Sequence, residues 1–314
     1  MMDKCRDVPR VLNGRNVITF SDMIWLPHTH GWKPDQFDRV FIDEAQDLSP
    51  ARTELLINSL APGGRICAVG DPKQALYQFA GAMENAIDVL IERLQANCFP
   101  LSVSYRCARK IIELAKEINP LVEARENAPD GKIEDLEIDQ LYDIKIPPGS
   151  AVISRTNYPL IRACFGFLSR GINANINGRD IGNRFLWRID CWNPDSTEAL
   201  VNSIHAWRDE VCQRLIEKKR DTSRIEDEAK SIEIFAEKTK TVSEVRENIS
   251  KFFSDEPAQL KLSTAHKIKG LEFDNVYVFE NTFHPERGRQ ETNCFYVAIT
   301  RAKTYLGILK GKLP

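Results

Sequence analysis

The chain has 314 residues, 42% of them apolar and 28% charged, with 43 basic side chains against 45 acidic. That length suits about two domains and a substantial core, and the composition excludes disordered, collagen-like and low-complexity classes. A formal net charge of −2 does not mark a nucleic-acid binder, nor does it exclude one, because a basic channel can lie inside a neutral total.

The N-terminal residues MMDKCRDVPR lack the apolar core of a secretory signal. No apolar run approaches the ~18 residues of a membrane span. A soluble intracellular protein with no membrane partner is expected. The eight cysteines include no C-x-x-C pair and no accompanying histidine cluster, so buried reduced thiols are expected rather than zinc ligands or disulfides. His28 and His30 lie between proline and glycine and are read as loop residues.

In chain order, Asn16–Phe20 (NVITF) and Arg39–Asp43 (RVFID) read as strands and Thr53–Leu60 as a helix. Arg65–Asp71 is a strand after a Pro-Gly-Gly turn, and Asn85–Gln95 an amphipathic helix. Ala108–Asn119 is helical and stops before Pro120. Ala151–Asn157 is a strand, and Leu160–Arg170 a helix ended by Gly171. Asn275–Phe279 and Tyr305–Leu309 are further strands, with Phe295–Lys303 helical between them. Alternation of this kind predicts an α/β fold with parallel sheets. From about Asp195 to Pro257 the chain is rich in Glu, Lys and Arg, with Val201, Ile204, Trp207, Val211 and Leu215 at helical spacing. It reads as a small helical insert whose charge runs, EKKRD and EDEAK, are solvated helix faces.

Several segments carry chemistry. FIDEAQD (Phe41–Asp47) ends an apolar strand in Asp43 and Glu44. Ligands of α/β folds sit at the carboxyl ends of strands. There the first acid suits Mg²⁺ and the second suits orienting and deprotonating an attacking water. On its own, the acidic pair reads better as an exposed acidic turn; the other segments change that. GDPKQALYQFAGA (Gly70–Ala82) again follows a strand. Its Gln74 suits sensing a terminal phosphate. Tyr77 and Phe79 suit either stacking on nucleic-acid bases or core packing, and periodicity does not separate the two. In LSVSYRCA, Tyr105 suits a purine and Arg106 a phosphate. STAHKIKGLEFDNVYV offers Thr264, His266 and two lysines to a phosphate backbone. Arg301, on an otherwise apolar helix in FYVAITRAK, is expected to point at an anion.

In this order and spacing the segments resemble the UvrD-like superfamily 1 DNA helicases. DEAQD looks like motif II, GDPKQALYQFAGA like motif III, SYR like motif IV, TAHKIKGLEF like motif V and YVAITRAK like motif VI. The resemblance implies two RecA-like lobes, the first incomplete at its N-terminus, with a small helical insert in the second. Its expected boundaries are 1–100 for the first lobe, 101–192 with 258–314 for the second, and 193–257 for the insert. It further implies that Asp43 serves Mg²⁺, Glu44 is the general base and Gln74 contacts the γ-phosphate of ATP. Tyr105 would lie against adenine, while Gly270 and Glu272 belong to the nucleotide site and Glu272 reaches the ribose or its surroundings. Arg106 and Arg301 would be arginine fingers. Tyr77, Phe79, Thr264 and His266 would meet single-stranded DNA, with movement 3′ to 5′.

The sequence departs from the family pattern. Ala80 stands where motif III usually has Arg, and only Glu291 remains of an acidic pair before motif VI. Neither Gly-Lys pair, Gly131–Lys132 nor Gly311–Lys312, fits G-x-x-x-x-G-K-S/T, whose amides and lysine cradle phosphates. The expectation is therefore the C-terminal portion of a helicase that is inactive without a P-loop-bearing N-terminal segment or chain. The alternative is an ATPase-inactive DNA-binding or helicase-regulating protein.

Overall fold

The computed structural model describes residues 11–12, 15–16, 20–78, 81–254 and 256–311, with side chains from residue 22 onward. The chain divides into two compact units, Met1–Phe99 and Pro100–Pro314.

The first unit opens with a short antiparallel pair, β1 (Val11–Leu12) and β2 (Arg15–Asn16). Of the strand expected over Asn16–Phe20, residues 17–19 lie outside the described residues, and Phe20 instead opens α1 (Phe20–His30). His28 and His30 are thus the last turn of a helix, not a loop. Next come β3 (Phe37–Ile42), α2 (Pro50–Asn58), β4 (Leu60–Ala68) and α3 (Ala86–Leu94). Ser49 caps α2 by accepting from the Arg52 N–H, and Pro50 occupies the first turn, where no amide partner is needed. β3 and β4 pair in parallel. Their register shifts between Phe37 and Arg39, which absorbs the Pro-Gly-Gly turn inside β4 rather than before it. Alternation sends Ile42 into a core with Leu48, Ala86 and Leu90, joined by Val40 and Ile66.

The second unit starts with β5 (Val103–Ser104), α4 (Arg109–Lys116) and β6 (Glu123–Ala124), and β5 pairs parallel to β6. There follow β7 (Lys132–Glu137), β8 (Ser150–Ser154), α5 (Tyr158–Leu168), β9 (Ala174–Ile176) and α6 (Arg179–Trp192). The charged stretch forms α7 (Thr197–Glu217), α8 (Ser223–Glu237) and α9 (Val242–Phe252). The unit closes with β10 (Leu260–Thr264), α10 (Ala265–Ile268), β11 (Phe273–Phe279), α11 (Arg289–Ile299) and β12 (Ala302–Lys310). The helix expected to reach Lys303 ends at Ile299, because Ala302 already begins a strand beside β11.

Six strands form one parallel sheet in the order β7-β12-β11-β8-β10-β9. β8 is central and every residue in it is buried. Helices α5, α6, α8 and α9 contribute Phe167, Phe185, Phe235 and Phe252 to the same core as the strands. EDEAK is not merely a solvated face. Asp227 accepts from the Asn157 and Tyr158 amides at 3.0 and 3.1 Å, capping α5, and buried Glu228 accepts from Arg188 at 2.6 Å. Seven cysteines are free among the described residues, but only Cys107, Cys164 and Cys294 are buried, so the expected burial holds for those three. Among the described residues no helix is long and apolar enough to cross a membrane.

Candidate functional site

The parallel strands of the first unit deliver acids at their carboxyl ends. Hydrogen bonds run past the ladder: the Val69 N–H donates to Ile42 O at 2.8 Å, and the Ala45 N–H donates to Val69 O at 3.0 Å. Between them Asp43 and Glu44 are exposed. Glu44 is left-handed, at φ 53° and ψ 43°, a conformation that costs a non-glycine residue on the order of 1–3 kcal/mol. The Glu44 N–H donates to Asp43 Oδ1 at 2.8 Å.

Gln46, only 3% exposed, ties the two strand ends together. Its Nε2 donates to Glu44 Oε2, and its Oε1 accepts from the Asp71 N–H at 3.0 Å. Asp71 in turn accepts from the Lys73 N–H at 2.9 Å and from Gln74 Nε2 at 2.8 Å. A relay thus joins Glu44 to Gln74 through Gln46 and Asp71. Gly70 permits it, since a Cβ there would stand 2.5 Å from Gln46 Oε1. Tyr77 is half-buried, and Phe79 lies outside the described residues.

No group of three or more His, Cys, Asp or Glu side chains forms a metal cage among the described residues. A nucleotide-borne Mg²⁺ does not require one, because it takes most of its ligands from water and phosphate and one or two from carboxylates. The exposed acids at adjoining strand ends fit that demand.

The second unit gathers cations at the amino ends of its strands. Arg301 directly precedes β12, and Glu272 directly precedes β11. The Phe273 N–H donates to Arg301 O at 2.9 Å, and the Ala108 N–H donates to Lys303 O at 2.7 Å. Those bonds fasten the Tyr105–Arg106 segment and the Gly270–Glu272 turn to the start of β12. Arg106 Nε donates to Glu272 Oε2 at 2.7 Å, and Lys303 Nζ donates to Glu272 Oε1 at 2.9 Å. Hydrogen bonds from Lys303 and then Arg106 hold the Glu272 carboxyl below the usual glutamate range. Tyr105 presents its ring to solvent at 77% exposure. Gly270 turns the chain at φ +86°.

Arg301, expected to point at an anion, lies buried among protein oxygens. It is 1% exposed, with Nε donating to Val297 O at 3.0 Å, Nη1 to Leu271 O at 3.3 Å and Nη2 to Thr300 Oγ1 at 3.2 Å. These oxygens come from α11, from the residue before Arg301 and from the turn preceding β11, and they draw the guanidinium inward.

The carboxyl ends of the same sheet carry different residues. Thr264 ends β10 in register with Ser154 of β8. Thr264 is buried, and His266 is half-buried with Nε2 3.9 Å from Cys294 Sγ. Burial pushes the Cys294 thiol up to about 12, so it stays protonated at neutral pH. Just after β8, Arg155 Nε meets both oxygens of Glu291 at 2.9 and 3.0 Å. Lys267 Nζ reaches both oxygens of Asp180 at 2.8 Å. In a parallel sheet the two sets therefore stand at opposite ends of the strands, one along the amino edge and one along the carboxyl edge. Arg106, Glu272 and Arg301 mark one edge, and Thr264 and His266 mark the other.

The sequence reading passed over Gln46, Asp71, Lys303 and Arg155. Gln46 lies in FIDEAQD and Asp71 in GDPKQALYQFAGA, and what singles them out is the pairing of β3 with β4. Lys303 follows Arg301 by two positions in TRAK. Its partner is far away in sequence, so spacing alone gave no signal.

Comparison with known proteins fits this geometry. The UvrD/REP helicase N-terminal domain matches residues 10–95, which contain the acidic edge. The UvrD-like helicase C-terminal domain matches residues 194–312, which contain β10, β11 and β12. F-box DNA helicase 1 of Gallus gallus is 24% identical over 300 residues, covering 86% of this chain and 29% of that protein. A probable DNA helicase II homolog of Mycoplasma pneumoniae is 31% identical over 98 residues, 30% of this chain and 14% of that one. Among solved structures, the Arterivirus nonstructural protein 10 helicase with DNA matches at TM-score 0.40 and 14% identity, over 88% of this chain and 41% of its own. The chain thus spans less than a third of the curated relatives it matches. Two family models matched in order, on the units that carry the acidic and the cationic edges, place the chain in the UvrD-like superfamily 1 helicases.

Proposed function

We propose that this chain is the part of an ATP-dependent DNA helicase that carries motifs II to VI and moves along single-stranded DNA, 3′ to 5′. Residues 1–100 serve as its first lobe, 101–192 with 258–314 as its second, and 193–257 as an accessory insert. The observation that carries this reading is the relay from Glu44 through Gln46 and Asp71 to Gln74 at the carboxyl ends of paired parallel strands. Such a relay connects a water-activating acid to a residue able to sense a terminal phosphate.

Asp43 would hold Mg²⁺, which when bound neutralises charge on the phosphates. Glu44 would accept the proton of the attacking water, and Gln74 would meet the γ-phosphate. Tyr105, Gly270 and Glu272 would line the nucleotide site. Arg106 and Arg301 would stabilise charge as the phosphoryl group transfers, an effect worth about 10³–10⁵ in rate for arginine fingers in other nucleotide hydrolases. Arg301 would have to turn out of its carbonyl pocket to do so. Thr264 and His266 would meet the DNA strand, with Tyr77 and Phe79 stacking on bases at about 1–3 kcal/mol each.

A phosphate cradle is also required, and no G-x-x-x-x-G-K-S/T stands in these 314 residues. The test is phosphate release measured with and without single-stranded DNA, and with and without a segment bearing a P-loop. DNA-stimulated hydrolysis is expected only when that segment is present, and it should vanish in Glu44→Gln. Hydrolysis by the chain alone would contradict the need for the cradle. No hydrolysis under any condition would contradict the enzyme reading.

A further inference from the structure

The Arg106–Glu272–Lys303 cluster contains one residue to which the family resemblance assigned no role. Glu272 uses one oxygen for Arg106 and the other for Lys303, at 2.7 and 2.9 Å. The contact on Arg106 is through Nε alone. A guanidinium held through Nε on its side leaves the end-on edge, where Nη1 and Nη2 each present an N–H, for an oxyanion.

Charge decides what Lys303 contributes. A carboxylate beside a phosphate-facing arginine cancels its charge and repels the phosphate. With Lys303 on the second oxygen, the trio of two cations and one anion carries a net charge of +1. The three side chains are between 36% and 42% exposed, so water screens them and their pairing adds little to stability. Orientation and local potential are what such a cluster can supply. Backbone geometry reinforces it, because the Ala108 N–H holds Lys303 O at 2.7 Å and keeps the strand of Lys303 beside the segment bearing Arg106.

We propose that Lys303 is a positioning residue of the nucleotide site: it fixes Glu272, which aims the Nη edge of Arg106 at a phosphate. This rests on reading Arg106 as a phosphate-facing cation.

Inorganic pyrophosphate is the probe, titrated into the full chain while the Arg106 Nε–Hε resonance is followed by ¹⁵N NMR. In the wild type this proton should be shifted and slow to exchange, and it should move on pyrophosphate addition. Glu272→Gln should abolish the slow-exchanging signal. Lys303→Met should broaden it and weaken pyrophosphate about three- to tenfold, the size expected for one charge a few ångströms away that is screened nearly as in bulk water. Lys303→Arg should restore both. An Arg106 signal and pyrophosphate affinity in Lys303→Met within twofold of wild type would overturn the assignment. So would pyrophosphate leaving the Arg106 resonance unmoved. Because this assay needs no hydrolysis, a chain that fails the hydrolysis test yet passes here loses the helicase reading and keeps the anion site.

Discussion

The two units put charged side chains at the ends of parallel strands, yet they support those ends differently. In the second unit the central strand β8 is wholly buried, and helices from both the sheet crossovers and the charged stretch pack into one core. In the first unit one face of β3–β4 packs on Leu48, Ala86 and Leu90, while Phe41 on the opposite face is 76% exposed and Phe37 and Val69 are exposed beside it. Parallel sheets are ordinarily covered on both faces. The acidic edge therefore stands on a sheet with one apolar face open, and its alignment depends on polar ties such as Gln46. The cationic edge stands on a finished core, where depth of packing holds the backbone.

The largest effect should come from breaking the stronger side of that comparison. Phe167 is fully buried in the second unit's core and packs edge-on against Tyr142 at 5.2 Å between ring centroids. Phe167→Ala should cost about 3–5 kcal/mol in urea unfolding of that unit. A loss below 1 kcal/mol would mean the core is less tightly packed than described. Gly70→Ala tests the polar tie of the first unit. Its Cβ would stand 2.5 Å from Gln46 Oε1 and 3.0 Å from the Ala45 N. Overpacking of that kind costs about 1–3 kcal/mol. Unchanged first-unit stability, with an unaltered Gln46 side-chain amide signal, would show that the relay is not tight.

Phe41→Ser should change stability by no more than about 0.5 kcal/mol, because the ring is already in water. It should also raise solubility. A large loss would show that the open face is covered. The smallest effect concerns Glu272. Its lowered pKa means the folded cluster favours the ionised carboxyl. The cluster should be intact above the ordinary glutamate range and be lost as pH falls through the lowered value. An NMR titration of the Glu272 carboxyl carbon should show a midpoint below that of a free glutamate, moving up in Lys303→Met. An unshifted midpoint would contradict the two hydrogen bonds.

Much of the fold was legible in the sequence, because strands such as Arg39–Asp43 and Asn275–Phe279 announce themselves by apolar runs ended by turn residues. Asp43 and Glu44 were legible for the same reason, since a strand end is a place that a one-dimensional pattern locates. What escaped depended on tertiary register. Gln46 became a relay only once β4 lay beside β3 and Gly70 let the two strand ends approach. Arg301 was read as pointing at an anion, and its bonds to the carbonyls of Val297 and Leu271 join segments that only the fold brings together. The charge run EDEAK looked solvated, yet Asp227 caps α5 and Glu228 is paired beneath Arg188, both through contacts distant in sequence. Helical periodicity carried Phe295–Lys303 too far, because strand pairing with β11 begins at Ala302.

Hydrogen exchange tests most directly whether the first unit presents its acids from a half-covered sheet while the second stands on a finished one. Amides of Val40–Ile42 and Ile66–Ala68 should exchange orders of magnitude faster than those of Ala151–Ile153 and Val276–Val278 in the same molecule. They should slow when a P-loop-bearing segment is added. Equal protection of both sheets before any addition would contradict the account.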